Sequence, residues 1–208
     1  MSLFIEGTRG TGKSKHAVSL IQTHLKKGRR VATNLDLFLE NLVPNKPEAS
    51  YTRLPDYPRS EDLHLLGKAY PELNPDDSST YDEKKFGLIV VDEMLTSFNS
   101  RSWNDPDRPE IINFFVQSRK WGWNPVFIGQ DFDAVDKQLR ETLVSEITEC
   151  RNSENFFPGL FFRVAIKPWF KLLVRKFYIA KHYDGRKKDK AHFNGADYFR
   201  REDLHSSY

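Results

Sequence analysis

The sequence predicts an α/β fold in which helices flank a mostly parallel central sheet. Short apolar runs, typical of buried strands, alternate along the chain with segments whose apolar residues recur at helical spacing. The strand-like runs are apolar on both faces, as expected for central strands of a parallel sheet. Repeated strand–helix–strand units of this kind favour a parallel sheet with right-handed connections, and a C-terminal antiparallel hairpin is predicted at its edge.

The individual elements follow from these patterns. The predicted core strands are Leu3–Ile5, Arg30–Asn34, Gly87–Val91 and Val126–Ile128. The predicted helices are Lys13–Lys27, Arg108–Trp121 and Asp133–Cys150. Gly28 stands where the C-terminal cap of the first helix is expected. The edge hairpin is predicted from two aromatic-rich runs on either side of Pro168, which are Leu160–Ile166 and Leu172–Ala180.

The chain of 208 residues suits one domain. We predict a core over residues 1–150 and a basic, aromatic hairpin and tail over residues 151–208. Within the core, residues 41–85 are rich in proline and are predicted to leave the sheet, with a short helical piece near Glu61–Tyr70.

Composition excludes several classes of protein. A formal net charge of +3 says little about partners, and a single cysteine, Cys150, rules out an internal disulfide framework. Cys150 is expected to be a small residue near a helix end, in a reducing, cytoplasmic setting. No run approaches the roughly 20 apolar residues of a membrane-spanning helix, and the N-terminus lacks a signal peptide core. We therefore expect no transmembrane segment in this chain.

A phosphate-binding motif lies between the first strand and the first helix. It fits the pattern G-x-x-x-x-G-K-[ST] and consists of Gly7, Thr8, Arg9, Gly10, Thr11, Gly12, Lys13 and Ser14, with Lys15 following in the helix. Glycines allow successive backbone N–H groups to point at phosphate oxygens, and the helix adds its positive end. Lys13 would face the β- and γ-phosphates of ATP, and the Ser14 hydroxyl would ligate Mg²⁺.

Two adjacent carboxylates end the strongest predicted strand. Asp92 closes that strand and is expected to be the second protein group at the magnesium ion. Glu93 is expected to polarise the attacking water, a role that most phosphate-loop kinases do not need because their acceptor is a substrate hydroxyl. The alternative is an Asp-Glu pair that merely ends a strand at the surface.

Three further polar residues are candidates for the same site. Gln130 ends the strand that typically lies between the phosphate-loop strand and the Asp-Glu strand, so it is expected to face the γ-phosphate. Arg119 and Arg140 are alternatives for an arginine that reaches a neighbouring subunit's γ-phosphate. The alternative reading is a turn residue for Gln130 and a solvated helix face for each arginine.

The region from Arg163 to Lys190 is strongly basic and carries interleaved aromatic residues, among them Trp169, Tyr178 and Tyr183. Basic groups beside stacking faces suit single-stranded nucleic acid. They also suit an anionic membrane surface, and a solvated edge hairpin would show the same composition.

With these residues in place, the chain resembles the N-terminal ATPase domain of the zonula occludens toxin (Zot) family, which includes the filamentous phage assembly ATPase. The resemblance extends over nearly the whole chain, and the residues that carry it are, in order, the phosphate loop, Thr33-Asn34, Ile89–Glu93, Arg119, Gly122–Pro125, Gln130 and Asp136–Arg140. Ser118 and Lys120 stand where the family shows histidines, so no role is transferred to these two positions.

The resemblance implies an ATPase related to FtsK- and HerA-like DNA motors. It implies a homo-oligomeric ring in the host cytoplasm at the inner face of the inner membrane. The implied partners are single-stranded DNA and phage coat or inner-membrane assembly proteins. ATP-driven phage morphogenesis is thus the first expectation. The alternatives are a viral genome-packaging ATPase, a nucleoside or small-molecule kinase, and a nucleotide-gated assembly scaffold with little turnover.

Overall fold

The computed structural model describes residues 2–93, 106–152, 177–200 and 207–208. Eight strands of this part of the chain form one sheet, and they are β1 (Leu3–Glu6), β2 (Val31–Thr33), β3 (Thr52–Arg53), β4 (Gly87–Asp92), β5 (Trp123–Ile128), β6 (Glu146–Asn152), β7 (Phe177–Asp184) and β8 (Phe193–Arg200). The helices are α1 (Lys13–Lys26), α2 (Leu39–Leu42), α3 (Ser60–His64), α4 (Arg108–Gln117) and α5 (Lys137–Leu143). Short 3-10 turns are formed at Ser78–Thr80, Glu83–Lys85 and Ser118–Trp121.

The strand order is β3-β2-β4-β5-β1-β6-β7-β8. Strands β1 to β6 are parallel to one another, whereas β7 pairs antiparallel with β6 and β8 pairs antiparallel with β7. This confirms the predicted fold class, including antiparallel strands at the C-terminal edge. The parallel order also places the carboxyl ends of β4, β5 and β1 side by side, where α/β sheets usually bind ligands.

Both faces of the central sheet are covered. Phe4 of β1 and Phe127 of β5 belong to a core cluster on the face that packs against α4 and α5. Ile5 and Ile128, the next residues of the same strands, belong to the cluster on the α1 face, where Ile21 is also fully buried. Burial on both faces explains why these strands are apolar runs without polar alternation.

The predicted long helix over Asp133–Cys150 is wrong. Helix α5 ends at Leu143, and β6 begins at Glu146 and pairs in parallel with β1. In β6, Ile147 and Cys150 are buried, and the strand gains β1 and β7 as hydrogen-bonded partners. Tertiary pairing has here overridden a weak helical pattern. Cys150 consequently lies in a strand, not near a helix end, and the boundary predicted at residue 150 falls inside β6.

The described C-terminal hairpin overlaps one of the two predicted strands, at residues 177–180. It consists of β7 and β8, which pair antiparallel with Ile179 opposite Tyr198. The predicted strand Leu160–Ile166 lies outside the described residues, and of Leu172–Ala180 only residues 177–180 are described, as the start of β7. The run Phe193–Arg200 escaped prediction because glycine and two charged residues hide its strand character.

The proline-rich stretch 41–85 does not simply leave the sheet. It contributes β3, which pairs in parallel with β2 at the edge. Its apolar side chains Leu54, Leu63, Tyr70 and Leu73 are buried in the core cluster beneath α4. The short helical piece expected here is α3, and the stretch therefore caps one face of the sheet. Within the described residues, none of the helices has the length and apolar character required to cross a membrane.

Candidate active site

The loop that matches the phosphate-binding pattern connects β1 to α1, and two of its three glycines with positive φ lie in confined positions. Gly7 has a φ of 146°, and a Cβ there would lie 2.5 Å from both the Cys150 carbonyl oxygen and the Thr11 hydroxyl. Gly12 has a φ of 89° and caps the N-terminus of α1. The close approach of Gly7 to β6 and the left-handed turn at Gly12 together explain why these two positions carry glycine.

The loop is held together by its own side chains. Lys13 Nζ donates to the carbonyl oxygens of Gly7 at 2.7 Å and Thr8 at 3.2 Å. The Thr11 hydroxyl donates to the same Thr8 carbonyl at 2.7 Å. The tip, at Thr8, Arg9 and Gly10, is exposed. The lysine ammonium thus lies over the loop at the positive end of α1, which is a suitable environment for an anion.

Backbone hydrogen bonds tie the carboxyl ends of three adjacent strands together. The Gly7 N–H donates to the Gln130 carbonyl at 3.2 Å, just beyond β5. The Glu93 N–H donates to the Ile128 carbonyl at 3.0 Å, and Asp92 lies opposite Ile128 in the β4–β5 register. The structure therefore brings the phosphate loop, the Asp92-Glu93 pair and Gln130 to one edge of the sheet, in the arrangement expected from the sequence.

The electrostatics of this edge favour a cation. Burial raises the pKa of the Asp92 carboxyl, the neighbouring Glu93 carboxylate raises it further, and the charge of Lys13 opposes both effects. A positive ion would stabilise the charged form of this half-buried carboxylate, which lies beside a second negative charge. The Ser14 hydroxyl and Asp92 carboxyl are hard oxygen donors of the kind that Mg²⁺ takes together with phosphate oxygens. The residues present therefore fit a magnesium ion.

Glu93 adopts a left-handed conformation, with a φ of 58°. A non-glycine residue with positive φ is uncommon, and such conformations concentrate at functional sites. The Glu93 and Gln130 side chains are both exposed at the carboxyl edge.

The two candidate arginines both form ion pairs within the subunit. Arg119 is in the 3-10 turn before β5, at the opposite end of that strand from Gln130, and it contacts Glu83 and the Tyr81 hydroxyl. Arg140 lies in α5, paired with Asp133 at 2.6 Å. Arg119 is therefore remote from the phosphate loop of its own subunit.

Sequence reasoning missed the surroundings of the loop. Lys15, expected only as part of the motif, is 3 % exposed and its Nζ donates to the Arg200 carbonyl of β8 at 2.8 Å. The ring of Tyr178, on β7, lies against Gly12. Nothing in the local pattern shows that the C-terminal strands reach the loop, because their contact depends on β6 joining the sheet between β1 and β7.

The residue directly before the loop was also missed. Glu6, at the end of β1, is 4 % exposed and accepts the Phe132 N–H at 3.1 Å. Its carboxylate pairs with Lys188 Nζ at 2.8 Å. The segment between β7 and β8 is thereby anchored to the strand that carries the phosphate loop. Of the basic region Arg163 to Lys190, for which nucleic acid, a membrane surface and a solvated hairpin are the alternatives, residues 163–176 lie outside the described part of the chain.

Comparison with known proteins identifies a matching family model and several related sequences. The family model "Zonular occludens toxin (Zot)" matches residues 1–193. The Gene 1 protein of Enterobacteria phage M13 is 41 % identical over 152 residues, which are 71 % of this chain and 41 % of that protein. The Gene 1 protein of Salmonella phage IKe is 40 % identical over 150 residues, covering 71 % of this chain and 39 % of that protein. This chain thus spans about two fifths of these relatives.

The fold has a solved counterpart. The N-terminal domain of zonular occludens toxin from Neisseria meningitidis superimposes with a TM-score of 0.50 at 16 % identity, covering 100 % of this chain and 97 % of that one. At this level of identity the likeness supports the fold.

Proposed function

Since this chain belongs to the zonular occludens toxin family, we propose that it hydrolyses ATP with Mg²⁺ to drive phage morphogenesis, as part of the assembly and extrusion of a filamentous particle. The observation that carries the proposal is the convergence of Lys13, Asp92, Glu93 and Gln130 at the carboxyl edge of β1, β4 and β5. Phosphate transfer requires positioning and charge stabilisation, and these side chains provide both.

Each residue has a distinct role in this proposal. The loop N–H groups and Lys13 bind the β- and γ-phosphates. The Ser14 hydroxyl and Asp92 would hold Mg²⁺, which would neutralise phosphate charge when bound. The Glu93 carboxylate orients and polarises the attacking water. The Gln130 side chain, which lies between the loop and Glu93, contacts the γ-phosphate.

Arg119 lies at the opposite end of β5 from the phosphate loop, and Arg140 is paired with Asp133 within its own subunit. We therefore place Arg119 at the γ-phosphate of a neighbouring subunit in a homo-oligomeric ring. Single-stranded DNA, phage coat proteins and inner-membrane assembly proteins are the proposed partners, and the host cytoplasm at the inner face of the inner membrane is the proposed location.

The test is steady-state phosphate release from ATP, measured against protein concentration with and without single-stranded DNA. A motor with shared sites gives a rate per subunit that rises with concentration and with DNA. Lys13→Ala should lose nucleotide binding, whereas Glu93→Gln should bind ATP and leave it unhydrolysed. Transfer of phosphate to a small acceptor, at a rate independent of concentration and DNA, would contradict the proposal in favour of a kinase.

A further inference from the structure

A cavity of about 270 Å³ opens beside the phosphate loop. Its lining includes Gly12, Lys13 and Lys15, from the loop and the first turn of α1. Two tyrosines, Tyr178 and Tyr208, line the same cavity. The cavity therefore combines a phosphate-binding loop with aromatic residues.

Tyr178 is held firmly at this position. It lies on β7, opposite Asn152 of β6, so that its backbone is paired within the sheet. A Cβ built on Gly12 would lie 2.9 Å from the Tyr178 ring, which shows how closely the ring approaches the loop. The Lys15 ammonium lies 5.6 Å from the ring centroid and donates to the Arg200 carbonyl of the neighbouring strand. This cation–π contact fixes the tyrosine relative to α1.

Tyr208 reaches the cavity from a separate segment. The preceding residue, Ser207, is 1 % exposed, and its carbonyl accepts the Phe38 N–H at 3.0 Å. The Tyr208 side chain stays partly accessible, at 40 % exposure. Burial and the neighbouring Tyr178 phenol both raise the pKa of Tyr208, in agreement with two phenols close together.

We propose that Tyr178 and Tyr208 form the nucleobase subsite of the nucleotide that the loop binds, each presenting ring surface to the base. The inference rests on the proposed function, which supplies the triphosphate at Lys13. A nucleotide carries both groups that this lining can bind, the anionic phosphates and a flat aromatic base. Aromatic rings bind bases by stacking, with little dependence on base identity.

The subsite gives the C-terminal strands a role in nucleotide affinity. Tyr178 comes from the antiparallel strand β7, whereas Lys13 follows β1, and Asp92 and Glu93 lie at the end of β4. A nucleotide bound between the loop and these tyrosines would join α1, β7 and the segment around Ser207. Loading with nucleotide would therefore stabilise the packing of the C-terminal strands on the core.

The experiment compares two probes on the full chain by competition against a fluorescent ATP analogue. ATP carries a base, whereas inorganic tripolyphosphate carries the phosphates alone. Tyr178→Ala and Tyr208→Ala should each weaken ATP about tenfold and leave tripolyphosphate unchanged. Tyr178→Phe keeps the ring and should bind ATP like the parent chain. Exposed Tyr57 lies outside the cavity, and Tyr57→Ala is the matched control.

The outcomes separate the two proposals. If Lys13→Ala leaves both probes unaffected, the phosphate loop itself is wrongly assigned and the proposed function fails. If Lys13→Ala abolishes binding of both probes while Tyr178→Ala and Tyr208→Ala leave ATP unchanged, the loop assignment stands and the base subsite is overturned. If the tyrosine variants weaken ATP and tripolyphosphate equally, with unaltered unfolding midpoints, the side chains shape the loop and do not contact the base, which also overturns the subsite.

Discussion

The side-chain amide of Asn34 holds both backbone polar groups of Asp92. Its Oδ1 accepts the Asp92 N–H at 2.8 Å, and its Nδ2 donates to the Asp92 carbonyl at 3.1 Å. The same Nδ2 also donates to the Asp56 carbonyl at 3.1 Å. Asn34 follows β2, so this one side chain joins the end of β2, the insert and the end of β4, and it fixes the backbone that carries the proposed magnesium ligand.

Replacement of Asn34 by alanine should therefore be costly. Asn34→Ala leaves the backbone groups of Asp92 without these partners, and we expect a loss of about 1–3 kcal/mol in the free energy of unfolding. The affinity for Mg²⁺-ATP should fall as well, because Asp92 would be less well positioned. Urea unfolding followed by circular dichroism measures the stability change.

The matched control is Asn113→Ala. Asn113 is an exposed asparagine of α4 that accepts a hydrogen bond from Gln117, so its loss should change stability by less than about 0.5 kcal/mol. Equal unfolding midpoints for the two variants would show that the contact between Asn34 and Asp92 contributes nothing to stability.

The ion pair between Glu6 and Lys188 gives a second prediction. The Glu6 side chain is 5 % exposed and the Lys188 side chain 32 %, so Lys188→Met leaves a nearly buried carboxylate without its cation. We expect the free energy of unfolding to fall by about 2 kcal/mol. This is less than the cost of breaking a fully buried ion pair, because solvent screens Lys188. Adding Glu6→Gln to Lys188→Met should restore part of the lost stability, since no unpaired buried charge remains.

A double-mutant cycle of thermal unfolding measures this coupling, with Lys187→Met as the control at an adjacent exposed lysine. Additive effects of Glu6→Gln and Lys188→Met would mean that the pair does not anchor the β7–β8 segment to β1.

Cys150 provides a chemical probe of the loop. Burial raises the pKa of its thiol to about 12, so very little thiolate exists near pH 8 and a disulfide reagent should react slowly until the structure opens. Gly7→Ala places a methyl group 2.5 Å from the Cys150 carbonyl oxygen and should accelerate the reaction of this single thiol.

Gly10→Ala is the appropriate comparison. Gly10 also has positive φ, at 79°, but nothing lies within 4 Å of a Cβ built there. Substitution of Gly10 introduces backbone strain but no steric clash, so we expect the reaction of the Cys150 thiol to accelerate less than in Gly7→Ala. If the thiol reacts equally fast in both variants, contact between Gly7 and β6 does not protect Cys150.

The last prediction concerns Arg119, which contacts Glu83 and Tyr81 at the edge opposite the loop. Under the proposed arrangement, Arg119→Ala retains ATP binding and loses the turnover that rises with protein concentration. Arg140→Ala, which removes a guanidinium paired with Asp133 within the subunit, should retain that turnover.

Mixing distinguishes action between subunits from action within one. Arg119→Ala subunits keep an intact loop, and Lys13→Ala subunits keep the arginine, so a mixture should recover part of the activity that each lacks alone. Mixtures that stay inactive although both variants co-assemble would exclude Arg119 as a residue supplied by a neighbour.

Residues adjacent in the sequence determined much of the site. The phosphate loop is a contiguous pattern between a strand and a helix, and Asp92-Glu93 and Gln130 each follow an apolar run. From these patterns the fold class, the position of these residues at the carboxyl edge of the sheet and the family membership could all be predicted. These signals are local because the loop geometry and the burial of parallel strands are local requirements.

Only the tertiary structure decided what surrounds the loop. Glu146–Asn152 pairs between β1 and β7 as a strand, although the same region was expected to continue a helix. That pairing brings Tyr178 to Gly12, and long-range contacts likewise bring Lys188 to Glu6 and Asn34 to Asp92. Strand pairing depends on partners far along the chain, which no local periodicity encodes. The sequence therefore determined the loop and the carboxylate pair, while the tertiary structure decided which distant residues surround them.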